Sequence, residues 1–586
     1  MPSTLLWLCS LFGILATVQT HAPTFPGPCI PKTSATFIGS VEFPSGTKVD
    51  GVTLGGLSAL TFDADRNVWY ALSDHRGVGI PSKFFTFSVN VSDGSLDEGD
   101  IVFSSSTTLK NPDGTDIDRS LDTEGITQDS EGFLWISSEQ NEDGRVPEIF
   151  QIFVNGTATG KEIPIPERYI GVNHTVGVRK NLGHEALANS FLIDWDTGAD
   201  AGAKVWVAGV EGALTQDGEE ANLINGSLAR VFFKSAPADS HTDPPEFVYL
   251  TDPIPVAPIS PDKFADLGLV EVLPIERSAR RFLTLERSFA TGAPDRGFTV
   301  SLYEACVVDG VTDVAAVFSL KDIPSEDLTV LQKDLVFNVG EETGEVVDNL
   351  EGMAFGPTLS DGRRLLMMMS DDNFSYFGPQ TTQFLAFAVN FAPFAKDDFF
   401  ETEADSLLVG DLTRNDEDRE WDAFSVSAFR IIRQGTVVEF EANRSATLDS
   451  GALLTVFSNG TFVFDPRGGA YEGISANGTW LEVFGYWVEE DEVVEGRSEP
   501  GMDFARVQIQ LGGRGEKGEG EEEAREEQRE EEGEEEQGEE EGDEVREEVQ
   551  VHALAGEGVQ EEGSSLTQLW NVTGKNLIFD DLGDGR

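Results

Sequence analysis

The sequence predicts an all-β protein: a β-propeller of about six blades, then a small β-sandwich and a disordered acidic tail. Three observations predict it. A Glu-Gly pair set among apolar residues, followed after a connector by an apolar run ending in an acid, recurs between residues 50 and 390. Short runs rich in Val, Phe, Leu and Trp alternate with Gly, Asp, Asn and Pro turns, and long helices are not evident. A Glu/Gly/Arg tract near the end has too little apolar character to bury a core.

The repeat is clearest at Asp122-Thr123-Glu124-Gly125-Ile126 leading to Ile136-Ser137-Ser138-Glu139, and at Asn349-Leu350-Glu351-Gly352-Met353 leading to Met369-Ser370-Asp371-Asp372. Looser copies are Gly56-Leu57-Ser58-Ala59 before Leu72-Ser73-Asp74-His75, and Gly183-His184-Glu185-Ala186 before Gly209-Val210-Glu211. Each copy is a pair of short strands that cannot bury its faces alone and must stack on its neighbours, which radial packing achieves.

Taken in order, residues 1–22 read as an export leader. Leu5 to Val18 is apolar but too short to span a bilayer, and Thr20-His21-Ala22 offers small residues at a cleavage point. No later stretch reaches membrane-spanning length, so the mature chain is expected to be secreted. Asn-x-Ser/Thr triplets at Asn90, Asn155, Asn173, Asn225, Asn373, Asn443, Asn459, Asn477 and Asn571 fit that route. Loss of the leader removes Cys9 and leaves Cys29 and Cys306, which can pair in an oxidising compartment or stay apart. Residues 35–394 form the propeller, at about 60 residues per blade. The strand Thr36 to Phe43 is expected to pair with Phe384 to Val389 and so close the ring, leaving no exposed edge.

Residues 396–512 alternate as strands and carry an Asn459-Gly460 hairpin turn, the pattern of one β-sandwich. Residues 513–563 are low-complexity, and 564–586 have no assigned structure. The net charge of −64 excludes a general attraction to nucleic acid or anionic lipid. Arg514 to Glu548 holds 20 acids and 5 bases, net −15, so −49 remains on the rest of the chain.

Equivalent positions of a radial repeat lie on rings around the channel. Glu124, Glu185 and Glu351 form one such set; Asp74, Glu139, Glu211, Glu286 and Asp371 form a second. Carboxylates gathered this closely raise one another's pKa unless protons or a hard cation sit among them, and calcium is the expected ion. Turn capping accounts for any one acid taken singly, but Asn or Ser would cap as well. Several enzyme signatures are absent: there is no Gly-x-Ser-x-Gly elbow, no phosphate-cradling loop, and no second histidine after His184-Glu185 for a zinc protease helix.

These motifs, in this order, resemble the phytase-like family, the "esterase-like activity of phytase" domain. The resemblance spans about residues 50 to 390 and is carried by Gly56 to Leu60 with Ser73-Asp74-His75-Arg76, Asp122 to Ile126 with Ser138-Glu139, Gly183 to Leu187, Leu283 to Phe289, and Leu350-Glu351-Gly352 with Ser370 to Phe374. It implies hydrolysis of phosphate esters or other esters. On that reading Glu124, Glu185 and Glu351 ligate calcium, and Asp74, Glu139, Glu211 and Asp371 serve as further ligands or a general base. Arg76, Arg179, Arg287 and His184 then contact the substrate, although Arg287 directly follows Glu286 and an ion pair competes there. Residues 415–418 and 460–466 resemble cadherin-like or bacterial Ig-like repeats. The alternative is a non-catalytic extracellular propeller that binds glycan, protein, or wall or matrix polymers.

Overall fold

The computed structural model describes residues 33–512, apart from short segments at 74–80, 118–120, 140–145, 172–174, 194–199, 237–244, 276–280, 309, 377, 419–421, 470, 472–478 and 492–499. Cys29, Asp74, His75 and Arg76 lie outside the described residues, as do the leader and the acidic tail. Cys306 is disulfide-bonded. Asn90, Asn155, Asn225, Asn443 and Asn459 are exposed. Among the described residues, no helix is long and apolar enough to cross a membrane.

The chain is nearly all β. Among the described residues, five four-stranded antiparallel sheets precede the sandwich. Their first strands are Leu57–Asp63, Thr123–Gln128, Ala186–Ile193, Ala265–Pro274 and Leu350–Thr358. These touch one another in a closed circuit, first to second and so on, with the fifth returning to the first. Polar bonds follow the same circuit: Ser58 Oγ donates to Thr123 O at 3.1 Å, Ser137 Oγ to His184 O at 3.0 Å, and Leu269 N to Glu211 O at 2.9 Å. Met353 N donates to Glu271 Oε2 at 3.5 Å and Gly56 N to Asp372 Oδ1 at 3.0 Å. The strand Ser34–Pro44 pairs with Thr381–Asn390 and completes the fifth sheet, as the sequence predicts.

The expected six blades become five sheets among the described residues, because the repeat is longer than assumed. Thr123 and Ala186 begin successive inner strands 63 residues apart, whereas Ala265 and Leu350 begin theirs 85 apart, the difference residing in connectors. The Glu-Gly motif also acquires a packing reason. A Cβ on Gly125 would stand 2.5 Å from Ser137 Oγ and 2.9 Å from Glu185 O, and one on Gly352 would stand 3.0 Å from Ala59 Cα. Only glycine lets the inner strands of neighbouring sheets approach that closely.

The sandwich packs a five-stranded sheet on a four-stranded one. Its core holds Phe429, Phe462, Phe464, Phe484 and Tyr486, the inward residues of period-2 strands. The Asn459-Gly460 turn forms as expected, with Gly460 at φ 83° and its amide bonded to Phe457 O at 3.0 Å. The sandwich joins the fifth sheet through Phe394 N to Glu417 O at 2.7 Å and Asn390 Nδ2 to Asp422 Oδ2 at 3.2 Å.

Candidate metal centre

Three sheets build one repeated constellation. The amides of Glu139, Glu211 and Asp371 donate to the carbonyls of Asp122, Gly183 and Asn349, each at 2.8 Å. Two residues beyond each of those carbonyls stand Glu124, Glu185 and Glu351. In the second and fifth sheets the strand register shifts there, between Thr123 and Ile126 and between Leu350 and Gly352. A bulge of this kind turns a side chain that regular alternation would send elsewhere. All six acids are buried.

The acids converge across the sheets. Glu139, Glu185 and Glu211 each present an oxygen within 4.8 Å of the others, and so do Asp122, Glu124 and Glu139. Arg287 enters from the fourth sheet: Nη2 lies 2.9 Å from Glu351 Oε1 and 3.3 Å from Glu211 Oε1, while Nη1 lies 3.5 Å from Asp266 Oδ2. Asn349 Nδ2 also donates to Glu351 Oε1 at 2.9 Å, and Gly183 N donates to Glu139. Burial works against the charge of Arg287, and Glu211 and Glu351 more than offset it, so its pKa is raised.

Glu185 records the balance. Burial first, then the charges of Glu139, Glu211 and Glu351, lift its carboxyl well above the usual range, and Arg287 only partly opposes them. The donors fit a hard cation, since they are all carboxylate oxygens and lie within 4.8 Å of one another, close enough to share one ion at oxygen distances of about 2.3–2.6 Å. Glu139, Glu185 and Glu211 are the residues that would hold it.

The remaining candidates fall in several places. Glu124 joins Asp122 and Glu139. Asp371 sits at the equivalent of Glu139 and accepts from Asn373 N at 2.7 Å. Arg179 stays apart from the ring, donating to Ala213 O at 3.0 Å and Gly218 O at 2.6 Å. His184 also stays apart: its ring packs against Tyr169 at 5.2 Å and Phe232 at 5.5 Å. Neither of its nitrogens finds a hydrogen-bond partner, and burial lowers its pKa to about 3.

The fourth sheet corrects the second ring. Glu286 faces away, accepting from Tyr249 Oη at 2.8 Å and Asp252 N at 3.0 Å and pairing with Lys333. Strand alternation gives the channel side to Arg287 instead. The position matching Glu139 is Phe289, which pairs with Asp266 as Glu139 meets Asp122. Asp122 and Asp266 join the site although the Glu-Gly repeat does not mark them. Their signal was the constant two-residue lead over Glu124 and Gly268.

Five sheets whose first strands close a circuit about converging buried carboxylates define a propeller-type protein with an acidic site that could hold a cation. The chain belongs to the Phytase-like family, described as "Esterase-like activity of phytase", whose model matches residues 52–374. Among solved structures it is similar to the endo-arabinase from Bacteroides thetaiotaomicron VPI-5482, at 12% identity and TM-score 0.30, over 61% of this chain and 97% of that one. It is also similar to the xylan β-1,4-xylosidase from Bacillus halodurans C-125, at 10% identity and TM-score 0.29, over 78% and 91% of the two chains. No curated protein matches it.

Proposed function

We propose that the chain is an exported, calcium-dependent hydrolase of phosphate esters or other esters, with the sandwich as a cadherin-like or Ig-like accessory module. The observation that carries this reading is the convergence of Glu139, Glu185 and Glu211 within 4.8 Å, drawn from two sheets of a family described by esterase-like activity. Calcium at this place would neutralise the carboxylates, polarise an ester or phosphoryl oxygen and favour an attacking hydroxide.

The chain's own residues have separable tasks. Burial and the neighbouring carboxylates favour the protonated form of Glu185, and ligation of calcium would release that proton to solvent. Arg287, braced by Glu211, Glu351 and Asp266, fixes those carboxylates and sets the positive side of the mouth. Glu139 and Glu211 are ligands or the general base, and Asp371 and Asp74 hold equivalent places in the repeat.

The test is turnover of an aryl phosphate, an aryl ester and phytate, with and without a calcium chelator, in the native chain and in Glu185→Gln and Glu351→Gln. Chelator-sensitive turnover lost in both variants supports the hydrolase. A chelator that lowers the melting temperature while no substrate turns over moves the protein to the binding class, with glycan or matrix polymers as ligands.

A further inference from the structure

The fourth sheet breaks the acidic symmetry twice. Where the second, third and fifth sheets carry Glu124, Glu185 and Glu351, it carries Gly268, and where they carry Glu139, Glu211 and Asp371, it carries Phe289. Gly268 is required, because a Cβ there would stand 2.1 Å from Glu211 Cγ. Phe289 is not obliged by packing in that way, and it does not stand alone. Its ring lies 6.2 Å from Phe264 and 5.0 Å from Phe298. Phe264 is 62% exposed.

This aromatic shelf is tied directly to the charged site. Phe289 N donates to Asp266 Oδ1 at 3.2 Å, while Arg287, two residues earlier on the same strand face, reaches Asp266 Oδ2 at 3.5 Å. Phe264 immediately precedes the strand Ala265–Pro274, and Phe289 lies one residue from the end of its partner Arg281–Ala290, so both stand at the strand ends nearest Gly268, where an added Cβ would meet Glu211. One sector of the mouth is therefore apolar and edged by a guanidinium, and the others are acidic.

We infer that the shelf of Phe264, Phe289 and Phe298 seats an aryl or similarly apolar group next to a single anionic head, so the substrate class is a hydrophobic monoester and not an inositol polyphosphate. The inference rests on the hydrolase reading above and narrows it. Several phosphates on one small ring would also face carboxylates that one ion at Glu139, Glu185 and Glu211 leaves uncompensated, and like charge disfavours such a ligand against a single anionic head. One phosphoryl group beside a flat apolar body meets the ion, Arg287 and the aromatic faces together.

Calorimetric titration of the calcium-loaded full chain with phenylphosphonate, methylphosphonate and phytate tests it, beside turnover of the matching phosphate esters. Phenylphosphonate should bind about tenfold more tightly than methylphosphonate, and phytate no more tightly than methylphosphonate. Phe264→Ala, at an exposed position that folding does not need, should bring the two phosphonates within about twofold of each other. Equal affinities in the native chain, tightest binding by phytate, or an aryl preference that survives Phe264→Ala would each overturn the inference. An aryl preference in binding without any turnover removes the hydrolase and leaves the shelf. Turnover indifferent to the aryl group does the reverse.

Discussion

Two acid clusters among the described residues, one buried at the ring and one half-buried in the sandwich, settle their charge differently. In the sandwich, burial first and then the charge of Asp416 push Asp398 up to about 8. Burial raises Asp416 to about 7, although Lys396 N at 2.7 Å and Tyr486 Oη at 3.0 Å from its two oxygens favour its charged form. Arg506 pairs with the adjoining Asp397 at 2.9 Å. Local donors and retained protons thus serve that cluster, whose acids lie on one turn and a neighbouring strand end. At the ring the acids arrive from separate sheets, and Glu185 stays raised despite Arg287. A raised carboxyl beside good donors marks structure; one amid converging carboxylates marks a place for an ion.

The sharpest way to break the comparison is to neutralise one acid on each side. Glu185→Gln should weaken calcium binding by roughly 100-fold and lower turnover at least as much, measured by calorimetry and an aryl-phosphate assay. Asp416→Asn should leave calcium affinity unchanged. If both variants behaved alike, the distinction between the clusters would fall. Next in size is the native response to the ion: calcium at 100 times its dissociation constant should stabilise the fold by about 2.7 kcal/mol. Denaturant unfolding reads this directly, and a curve indifferent to chelation would count against the ring as the binding place.

The same contrast separates what the sequence pattern encodes from what only packing decides. The all-β class and the closing strand were legible, because a repeat fixes equivalent positions whatever the loops do. The grouping of the acids was not, since the repeat sorts Glu185 with Glu124 and Glu351, whereas the oxygens that approach within 4.8 Å belong to Glu139, Glu185 and Glu211. The number of sheets was not, since connectors stretch the repeat without altering its core strands. The fourth sheet was misread because Leu285-Glu286 copies the apolar-acid pattern one strand face out of step, and a one-residue slip exchanges the two faces. His184 misled for a related reason: it precedes a ring acid, but its side chain points to Tyr169 and Phe232.

A subtler separation comes from pH. The folded pKa of Glu185 is raised, so between its ordinary value of 4.5 and the higher folded one the native state keeps a proton that the unfolded chain has lost. Stability from this group is complete below pH 4.5 and declines as pH rises. Asp398 behaves likewise, over a window from its ordinary 3.8 up to about 8. Calcium replaces the proton at the ring only. Melting temperature against pH should therefore fall less steeply with calcium than without it, and Glu185→Gln should flatten the calcium-free profile. Asp398→Asn should flatten both profiles by a similar amount. A Glu185→Gln profile as steep as the native one would remove the carboxyl from the ion's place.

The smallest effect belongs to His184, which shares its strand end with Glu185 but faces the other way. Its ring is neutral at physiological pH, because burial holds its pKa at about 3. A depressed value means that the unfolded chain takes up a proton first, so this group costs stability as pH falls from 6.5 towards 3. His184→Phe keeps a flat ring between Tyr169 and Phe232 and should cost less than about 1.5 kcal/mol. It should also blunt acid unfolding in that window, while turnover at neutral pH changes by less than about twofold, since an apolar neighbour on the far side of the strand touches no substrate. Loss of turnover in a variant that melts normally would put the imidazole back among the catalytic groups.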